Sequence, residues 1–176
     1  TITRIGDLDT VSRGIDRAVE CGFDRIRLNA VILDGLNRDE VVPLTHYALE
    51  KGIHIAFIEE MPLGQVNVGG KPLAYVSSDM LQKELAEQFS LVPMTASDTA
   101  GPARDFLIAG SRTQVGFISP HSHNFCAQCN RLRISAEGRL LMCLGNEESI
   151  DIRGLLRAGS TDEEIKTIII KSLSIK

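Results

Sequence analysis

Three cysteines have the spacing of a metal or cluster site. Cys126 and Cys129 are separated by two residues, and Cys143 follows after thirteen more. Two thiolates this close on a loop can bind one metal ion or cluster, and a third must reach them through folding. The turn sequence at 136–138 lies between Cys129 and Cys143. We therefore expect a hairpin centred there, which places Cys143 opposite about Asn130.

Two arginines follow the cysteine pair on what reads as a strand. Alternation along that strand puts Arg131 and Arg133 on the face of Cys129. Leu132 and Ile134 then lie on the opposite face. Two guanidiniums beside a metal site suggest an anionic ligand, and a phosphorylated one in particular.

Three sulfurs are one ligand short of a closed site. His121 or His123 could complete a structural zinc site of three cysteines and one histidine, or the fourth position could stay open for a substrate. Both histidines lie in a polar stretch, where a solvated histidine is the commoner case. Cys21, remote from the others and near a helix end, is expected to be an inert core thiol.

The first third of the chain alternates helices and strands. Apolar residues at helical spacing predict a helix from about Leu8 that ends at Gly22, and a strand follows over 25–31. Asn37 or Asp39 can cap a second helix that ends at Gly52. A further strand is predicted over 53–61, so the order is that of a parallel α/β sheet or barrel. Glu59 and Glu60 are neighbours on this strand and face opposite ways, which makes a paired acid–base role improbable.

The alternation changes after a loop rich in Gly and Pro at 62–71. Ser77 or Ser78 can cap a helix, and the remaining strands read as an antiparallel region. A short helix over 151–158 and a capping box from Thr161 to Glu164 end the pattern. We expect two domains, 1–64 and 65–176, the second of α+β type. The short strands of the second domain are predicted at 106–108, 114–119, 131–135 and 139–143.

Bulk composition limits the classes of function. The 176 residues are 43% apolar, which is enough for a buried core, and the net charge is −4 with a pI near 5.6. No broad basic surface for nucleic acid or an anionic membrane is therefore expected, and phosphate binding has to be local. The sequence lacks a long apolar run and a signal peptide, so we expect a cytoplasmic protein. It begins at Thr1 without a methionine and reads as a fragment.

Four segments resemble the molybdenum cofactor biosynthesis protein A family of radical S-adenosylmethionine (SAM) enzymes, and they occur in the expected order. The cysteine segment with its paired arginines is the most specific of them. The segments are Arg27-Leu28-Asn29-Ala30-Val31, Phe57-Ile58-Glu59-Glu60-Met61-Pro62, Phe125-Cys126-Ala127-Gln128-Cys129-Asn130-Arg131-Leu132-Arg133 and Cys143-Leu144.

The resemblance implies a fold and a set of site residues. The fold is the C-terminal part of a partial TIM barrel at 1–64, followed by a C-terminal domain with a second 4Fe-4S cluster. The fourth iron of that cluster stays open for the guanine of GTP. Arg27 falls where the family usually has a GTP-binding lysine, and Met61 matches a residue beside SAM. By the same likeness, the cluster ligands are Cys126, Cys129 and Cys143, and further GTP contacts are Arg131, Leu132 and Arg133.

The reaction implied by the resemblance is the first step of molybdenum cofactor (molybdopterin) biosynthesis. A first 4Fe-4S cluster in the N-terminal half cleaves SAM, and the resulting radical takes hydrogen from C3′ of GTP, which then bonds to guanine C8. The product is (8S)-3',8-cyclo-7,8-dihydroguanosine 5'-triphosphate, and the enzyme is a lyase. The implied partners are GTP and a downstream cyclic pyranopterin monophosphate synthase, and the family also allows a homodimer.

The sequence departs from the family at two important points. The radical-generating Cys-x-x-x-Cys-x-x-Cys motif does not occur in it, so we expect no catalytic residue here and no activity of this chain alone. Ala56 stands where the family commonly has an arginine. Two alternatives remain open, a zinc-stabilised Cys3His binding module and another radical SAM enzyme whose auxiliary cluster transfers electrons.

Overall fold

The chain divides into two units, residues 1–127 and residues 128–176. The first unit is built around a five-stranded mixed sheet. The computed structural model describes residues 6–61, 67–68, 71–72, 75–95, 101–123, 131–143 and 148–173. The strands of the first unit are β1 Arg27–Ile32, β2 His54–Glu59, β3 Asn67–Val68, β4 Lys71–Pro72, β5 Leu91–Pro93, β6 Ala103–Ile108 and β7 Gln114–Ile118. The five-stranded sheet has the order β1-β2-β7-β6-β5, and β3 pairs with β4.

The helices of the first unit begin and end close to their predicted positions. Helix α1 (Leu8–Glu20) ends before Gly22, which has a positive φ of 72°. Helix α2 (Val41–Lys51) ends at Gly52, whose φ of 66° lies in the same left-handed region. Helix α3 (Ser78–Ala86) is capped by Ser77, whose hydroxyl accepts a hydrogen bond from the Met80 amide at 3.3 Å.

The predicted cap of α2 is wrong. A short 3₁₀ helix (Arg38–Glu40) precedes α2, and neither Asn37 nor Asp39 caps the α-helix. The Asn37 side chain instead accepts from the Leu33 amide at 2.8 Å and donates to the Val31 carbonyl at 2.9 Å. Because its oxygen and its NH₂ group are both used within the loop after β1, Asn37 shapes that loop and does not start the helix.

Strand pairing in the first unit combines two directions. Strands β1, β2 and β7 are parallel, whereas β6 pairs antiparallel with both β7 and β5. The parallel part predicted for 1–61 is confirmed by β1 and β2. The expectation that residues 114–119 belong to a separate antiparallel region is wrong, because β7 lies beside β2. No closed barrel forms among the described residues, and the partial TIM barrel and the domain limits 1–64 and 65–176 stay predictions.

The two faces of the five-stranded sheet differ in chemistry. One face carries the apolar core, with Ile55, Phe57, Val115 and Phe117 completely buried. Helices α2 and α3 supply the other side of this core. Strand register places a second set of residues on the opposite face, which we call the open face. The open face includes Arg27, Asn29, Ala56, Asp105, Gln114 and Gly116.

In its described residues, 131–143 and 148–173, the second unit has a three-stranded antiparallel sheet and two helices. Thr161 and Glu164 form the predicted capping box, since the Glu164 amide donates to the Thr161 hydroxyl at 3.3 Å and the Thr161 amide to the Glu164 carboxylate at 2.8 Å. No helix in the described parts of the chain is long and apolar enough to cross a membrane. The elements are β8 Arg133–Ile134, β9 Arg139–Leu141, β10 Ser149–Asp151, α4 Ile152–Arg157 and α5 Asp162–Leu173, with the strand order β10-β9-β8.

The turn between β8 and β9 is the predicted hairpin at 136–138. The Ser135 amide donates to the Arg139 carbonyl at 2.9 Å, and the Gly138 amide donates to the Ser135 carbonyl at 2.9 Å. Gly138 has a φ of 76°, as the last residue of a three-residue hairpin loop requires. A Cβ at Gly138 would lie 2.6 Å from the Arg153 Cβ, so α4 also needs a glycine here.

Gly138→Ala should therefore destabilise the second unit by more than the backbone strain alone. Gly159→Ala is the matched control, because Gly159 has a similar φ of 81° but a Cβ added there would meet no atom within 4 Å. We expect about 1 kcal/mol for the control and about 2–3 kcal/mol for Gly138→Ala in chemical denaturation of the protein that contains this chain. Equal losses in the two variants would show that the contact with Arg153 costs nothing.

Candidate functional site

The β8–β9 hairpin brings Cys143 to the face that carries the arginines. Arg133 lies opposite Leu141, and Ile134 opposite Leu140. Burial alternates along the second strand and beyond it, because Leu140 and Met142 are buried while Arg139 and Cys143 are exposed. Directly opposite residues share a face, and so do residues two apart on one strand. Arg133, Arg139 and Leu141 therefore share one face. Cys143 follows the end of β9 by two residues, and continued alternation assigns it to the same side. We call these four residues the hairpin face.

The other predicted members of this site are only partly described. Arg131 is exposed, and Leu132 is 40% exposed. If the pairing of β8 with β9 continued beyond Arg133 and Leu141, Cys143 would lie opposite Arg131. The predicted partner was about Asn130, one residue away. Asn130, Cys126 and Cys129 lie outside the described residues, so the convergence of the three cysteines stays a prediction.

The two arginines within the strands of the hairpin face have different surroundings. Arg139 is held by β10, since its Nε donates to the Ser149 hydroxyl at 2.8 Å and its Nη2 to the Ser149 carbonyl at 3.3 Å. No ion pair of Arg133 is formed within the described parts of the chain, and its side chain is exposed. Arg133 is therefore better placed than Arg139 to bind an anion.

Arg27 lies on the open face of the first unit, in an ion pair. Its Nη2 donates to Asp105 Oδ1 at 2.8 Å and to Gln114 Oε1 at 3.4 Å. The Asp105 carboxylate lies over Gly116, where a Cβ would approach Oδ1 to 2.5 Å. The small residues Gly116 and Ala56 therefore leave the space that this ion pair occupies.

Arg27 and Met61 lie at opposite ends of the parallel strands. Arg27 is the first residue of β1, whereas the half-buried Met61 follows the last residue of β2 by two positions. In barrel enzymes the reacting groups gather at the carboxyl ends of the strands. Met61 satisfies that rule, and Arg27 is at the amino end.

Glu59 is a functional candidate that sequence reasoning missed. The carboxylate is 1% exposed and ends β2. Its Oε1 accepts from the Ser78 amide at 2.7 Å and from the Ser122 hydroxyl at 2.5 Å. Its Oε2 accepts from the amides of His121 at 3.1 Å and Ser122 at 3.0 Å. Glu59 thus joins the end of β2, the start of α3 and the turn after β7.

These hydrogen bonds keep Glu59 ionised. Burial alone raises the pKa of the carboxyl, but the Ser122 hydroxyl and the amides of Ser78, Ser122 and His121 outweigh it and lower the pKa to about 2. No lysine, arginine or histidine side chain in the described part of the chain pairs with Glu59. Four hydrogen bonds and the N-terminus of α3 therefore take the place of a counter-ion.

The two histidines of the zinc alternative have partners in the first unit. His123 Nε2 lies 3.1 Å from both carboxylate oxygens of Asp79, which also accepts from Arg104 at 2.9 Å. The His121 ring packs edge-on against Tyr75, with 5.2 Å between the centroids. Among the described residues, no group of three or more His, Cys, Asp and Glu side chains is arranged to hold a metal ion.

Cys21 does not lie in the core. It is the exposed C-cap residue of α1, so the expectation of a core thiol is wrong. The chain turns directly after it, at Gly22 with its positive φ of 72°. Cys21 is remote in sequence from the other cysteines and is a convenient control for them.

The mixed sheet of the first unit, and the hairpin and exposed Cys143 of the second, define the class as an α/β protein with a separate cysteine-bearing antiparallel unit. The family model described as Molybdenum Cofactor Synthesis C matches residues 53–176. The chain belongs to this family, which confirms the resemblance read from the sequence.

Curated relatives agree with this assignment. The chain is 47% identical over 176 residues to a GTP 3',8-cyclase of Saccharophagus degradans, covering 99% of the chain and 53% of the relative. It is 51% identical over 177 residues to a GTP 3',8-cyclase of Pseudomonas putida, with the same coverage. A GTP 3',8-cyclase of Pseudomonas entomophila is 52% identical over 157 residues, covering 89% of the chain and 47% of the relative. The chain thus spans about half the length of these relatives.

Proposed function

We propose that the chain is part of a GTP 3',8-cyclase, and that its second unit holds the nucleotide and an iron-sulfur cluster. The relatives are named GTP 3',8-cyclases, which supports GTP as the substrate and a cyclisation as the reaction. The product (8S)-3',8-cyclo-7,8-dihydroguanosine 5'-triphosphate and the SAM-derived radical are what the family resemblance implies. The feature that supports the proposal is the hairpin face, to which strand register and continued alternation assign the exposed Cys143 and the exposed arginines Arg133 and Arg139.

Cys143 has the properties of a cluster ligand. Its thiol is exposed, it follows the end of β9, and it lies on the hairpin face with Arg133. Thiolates are the ordinary ligands of such clusters, and a hairpin is a rigid support for one of them. We propose that Cys126 and Cys129 supply the other two ligands and that an open iron position, when the cluster is bound, holds the guanine base.

The arginines give the same unit affinity for the nucleotide. A guanidinium binds phosphate or a purine edge through parallel N–H donors, and it stays charged at any physiological pH. We propose that Arg131, Leu132 and Arg133 contact GTP, that Arg27 binds it from the first unit, and that Met61 lies beside SAM. Fixing the nucleotide at several points would hold the ribose carbon in place for reaction.

Arg133→Ala tests the nucleotide role directly. In the full-length protein that contains this chain, we expect GTP affinity to fall by about 10- to 100-fold, because a charge-assisted contact is lost. Iron content should not change, since Arg133 is not a ligand. Isothermal titration with GTP and metal analysis of the anaerobically reconstituted protein measure the two quantities.

Arg157→Ala is the matched control for this experiment. Arg157 is an exposed arginine at the end of α4 and does not belong to the hairpin face. Its replacement should leave GTP affinity unchanged. Wild-type affinity in the Arg133→Ala variant would contradict the assigned role. A reconstituted protein that carries one zinc per chain and no iron, and that ignores GTP, would favour the zinc-stabilised module.

A further inference from the structure

A second arginine lies beside Arg27, at the amino end of β1. Arg25 Nη2 is 3.4 Å from Gln114 Oε1 and 3.8 Å from Asp105 Oδ2. Arg27 Nη2 contacts the same two side chains, at 3.4 Å and 2.8 Å. The two guanidiniums are therefore gathered around one amide oxygen and one carboxylate.

This cluster, Arg25, Arg27, Asp105 and Gln114, keeps a positive charge in a chain of net charge −4. Two arginines face one aspartate, so one positive charge is not balanced within the cluster. His54 lies next to Arg27 across the strand pair, and its pKa is lowered by burial and by the positive charges of Arg25 and Arg27. The neighbouring histidine is thus neutral at pH 7 and adds no charge of its own.

Holding two like charges together costs electrostatic energy, which the shared carboxylate and amide offset. The arrangement leaves Arg25 available to a ligand, because its side chain is 58% exposed and its contacts with Asp105 and Gln114 are long. The Arg27 side chain, by contrast, is 19% exposed and held at 2.8 Å. The guanidinium of Arg27 is thus fixed, and that of Arg25 lies near it and is open to solvent.

We infer that Arg25 is a second phosphate-binding side chain, which acts with Arg27 on the phosphate groups of a nucleotide at the open face of the sheet. The inference rests on the proposed function, which it deepens by naming a further residue and the part of the ligand that it contacts. Two neighbouring guanidiniums suit a polyphosphate, because its several negatively charged oxygens can accept hydrogen bonds from both of them.

Arg25→Gln in the full-length protein tests the inference. The substitution removes the charge and keeps most of the side-chain length, and the site is exposed enough that folding should not be affected. We expect GTP to bind about 5- to 10-fold more weakly, and inorganic tripolyphosphate to compete less well, by a similar factor. Binding of guanosine, which has no phosphate groups, should stay as in the wild type. Arg25→Lys should retain most of the GTP affinity because it keeps the charge.

Arg17→Gln is the control, because Arg17 is a 75% exposed arginine on α1 whose ion-pair partner is Glu20. It should change none of these affinities. If Arg25→Gln binds GTP as the wild type does while Arg133→Ala weakens it, the inference is wrong and the proposed function stands. If the wild-type protein binds no GTP, the proposed function fails. The inference about Arg25 also fails in that case if the wild type and Arg25→Gln bind tripolyphosphate equally well.

Discussion

Cys143→Ser is expected to remove one iron-sulfur cluster, about four iron atoms per chain, from the full-length protein after anaerobic reconstitution. The thiolate is the group that binds iron, and a serine hydroxyl of nearly the same size stays protonated at neutral pH. Cys143 is exposed on the hairpin face, where it can act as a ligand without moving the strand. Iron and sulfide analysis with an absorption spectrum measure the loss.

Cys21→Ser is the matched control for this prediction. Cys21 is also an exposed cysteine, but it caps α1 in the first unit. Its replacement should leave iron content and the spectrum unchanged. If Cys143→Ser retains all its iron, Cys143 is not a ligand and the hairpin face has another purpose. If the Cys143→Ser variant loses one zinc ion instead of iron, the zinc-stabilised alternative is correct.

The hairpin could be predicted because its determinants are local. The turn at 136–138 ends in Gly138, and a positive φ at that position is what a three-residue hairpin loop needs. Alternation then fixes which residues of one strand share a face, but the exact register was not predictable: Cys143 was expected opposite about Asn130, and the observed register, if continued, sets it opposite Arg131. The capping box at Thr161 and the helix ends at Gly22 and Gly52 were predictable because their determinants are also local.

The neighbours of β7 could not be predicted in the same way. Its sequence indicates a buried strand, but nothing local shows that it pairs in parallel with β2, about 60 residues earlier. The contact of Arg27 with Asp105 depends on that pairing, because β7 and β6 carry Gln114 and Asp105 to the open face. Resemblance pointed to Arg27, whereas its partners and Arg25 became visible only in the folded sheet.

Glu59 was missed because sequence reasoning weighed it only as one of a pair with its neighbour Glu60. The two carboxylates do differ in environment, as alternation predicts, since Glu59 is buried and Glu60 is half-buried. That reasoning made a paired acid–base role improbable, but it did not consider a role for Glu59 by itself. Its partners come from Ser78, His121 and Ser122, which lie 19 to 63 residues away. The available signal was an acidic residue that alternation places on the buried face at the carboxyl end of a strand.

Glu59→Gln should destabilise the first unit by about 3 kcal/mol at pH 7. This is the free energy that corresponds to lowering the pKa of Glu59 from 4.5 to about 2 on folding. The Ser78, His121 and Ser122 amides donate to both oxygens of Glu59. Glutamine has one oxygen, so its NH₂ group would face at least one buried amide donor that then has no acceptor. Urea denaturation of the protein that contains this chain, compared with the wild type, measures the loss.

The pH dependence distinguishes this ionised carboxylate from a group that merely packs well. The pKa of Glu59 falls from an ordinary value of 4.5 to about 2 in the folded chain, so its contribution is fully present above pH 4.5 and is lost as the pH falls toward 2. The stability difference between the wild type and Glu59→Gln should therefore narrow over that range. Glu60→Gln, at the adjacent half-buried carboxylate, should cost less than about 0.5 kcal/mol at pH 7. A Glu59→Gln deficit that stays constant from pH 7 to pH 2 would show that shape, and not charge, is what this position requires.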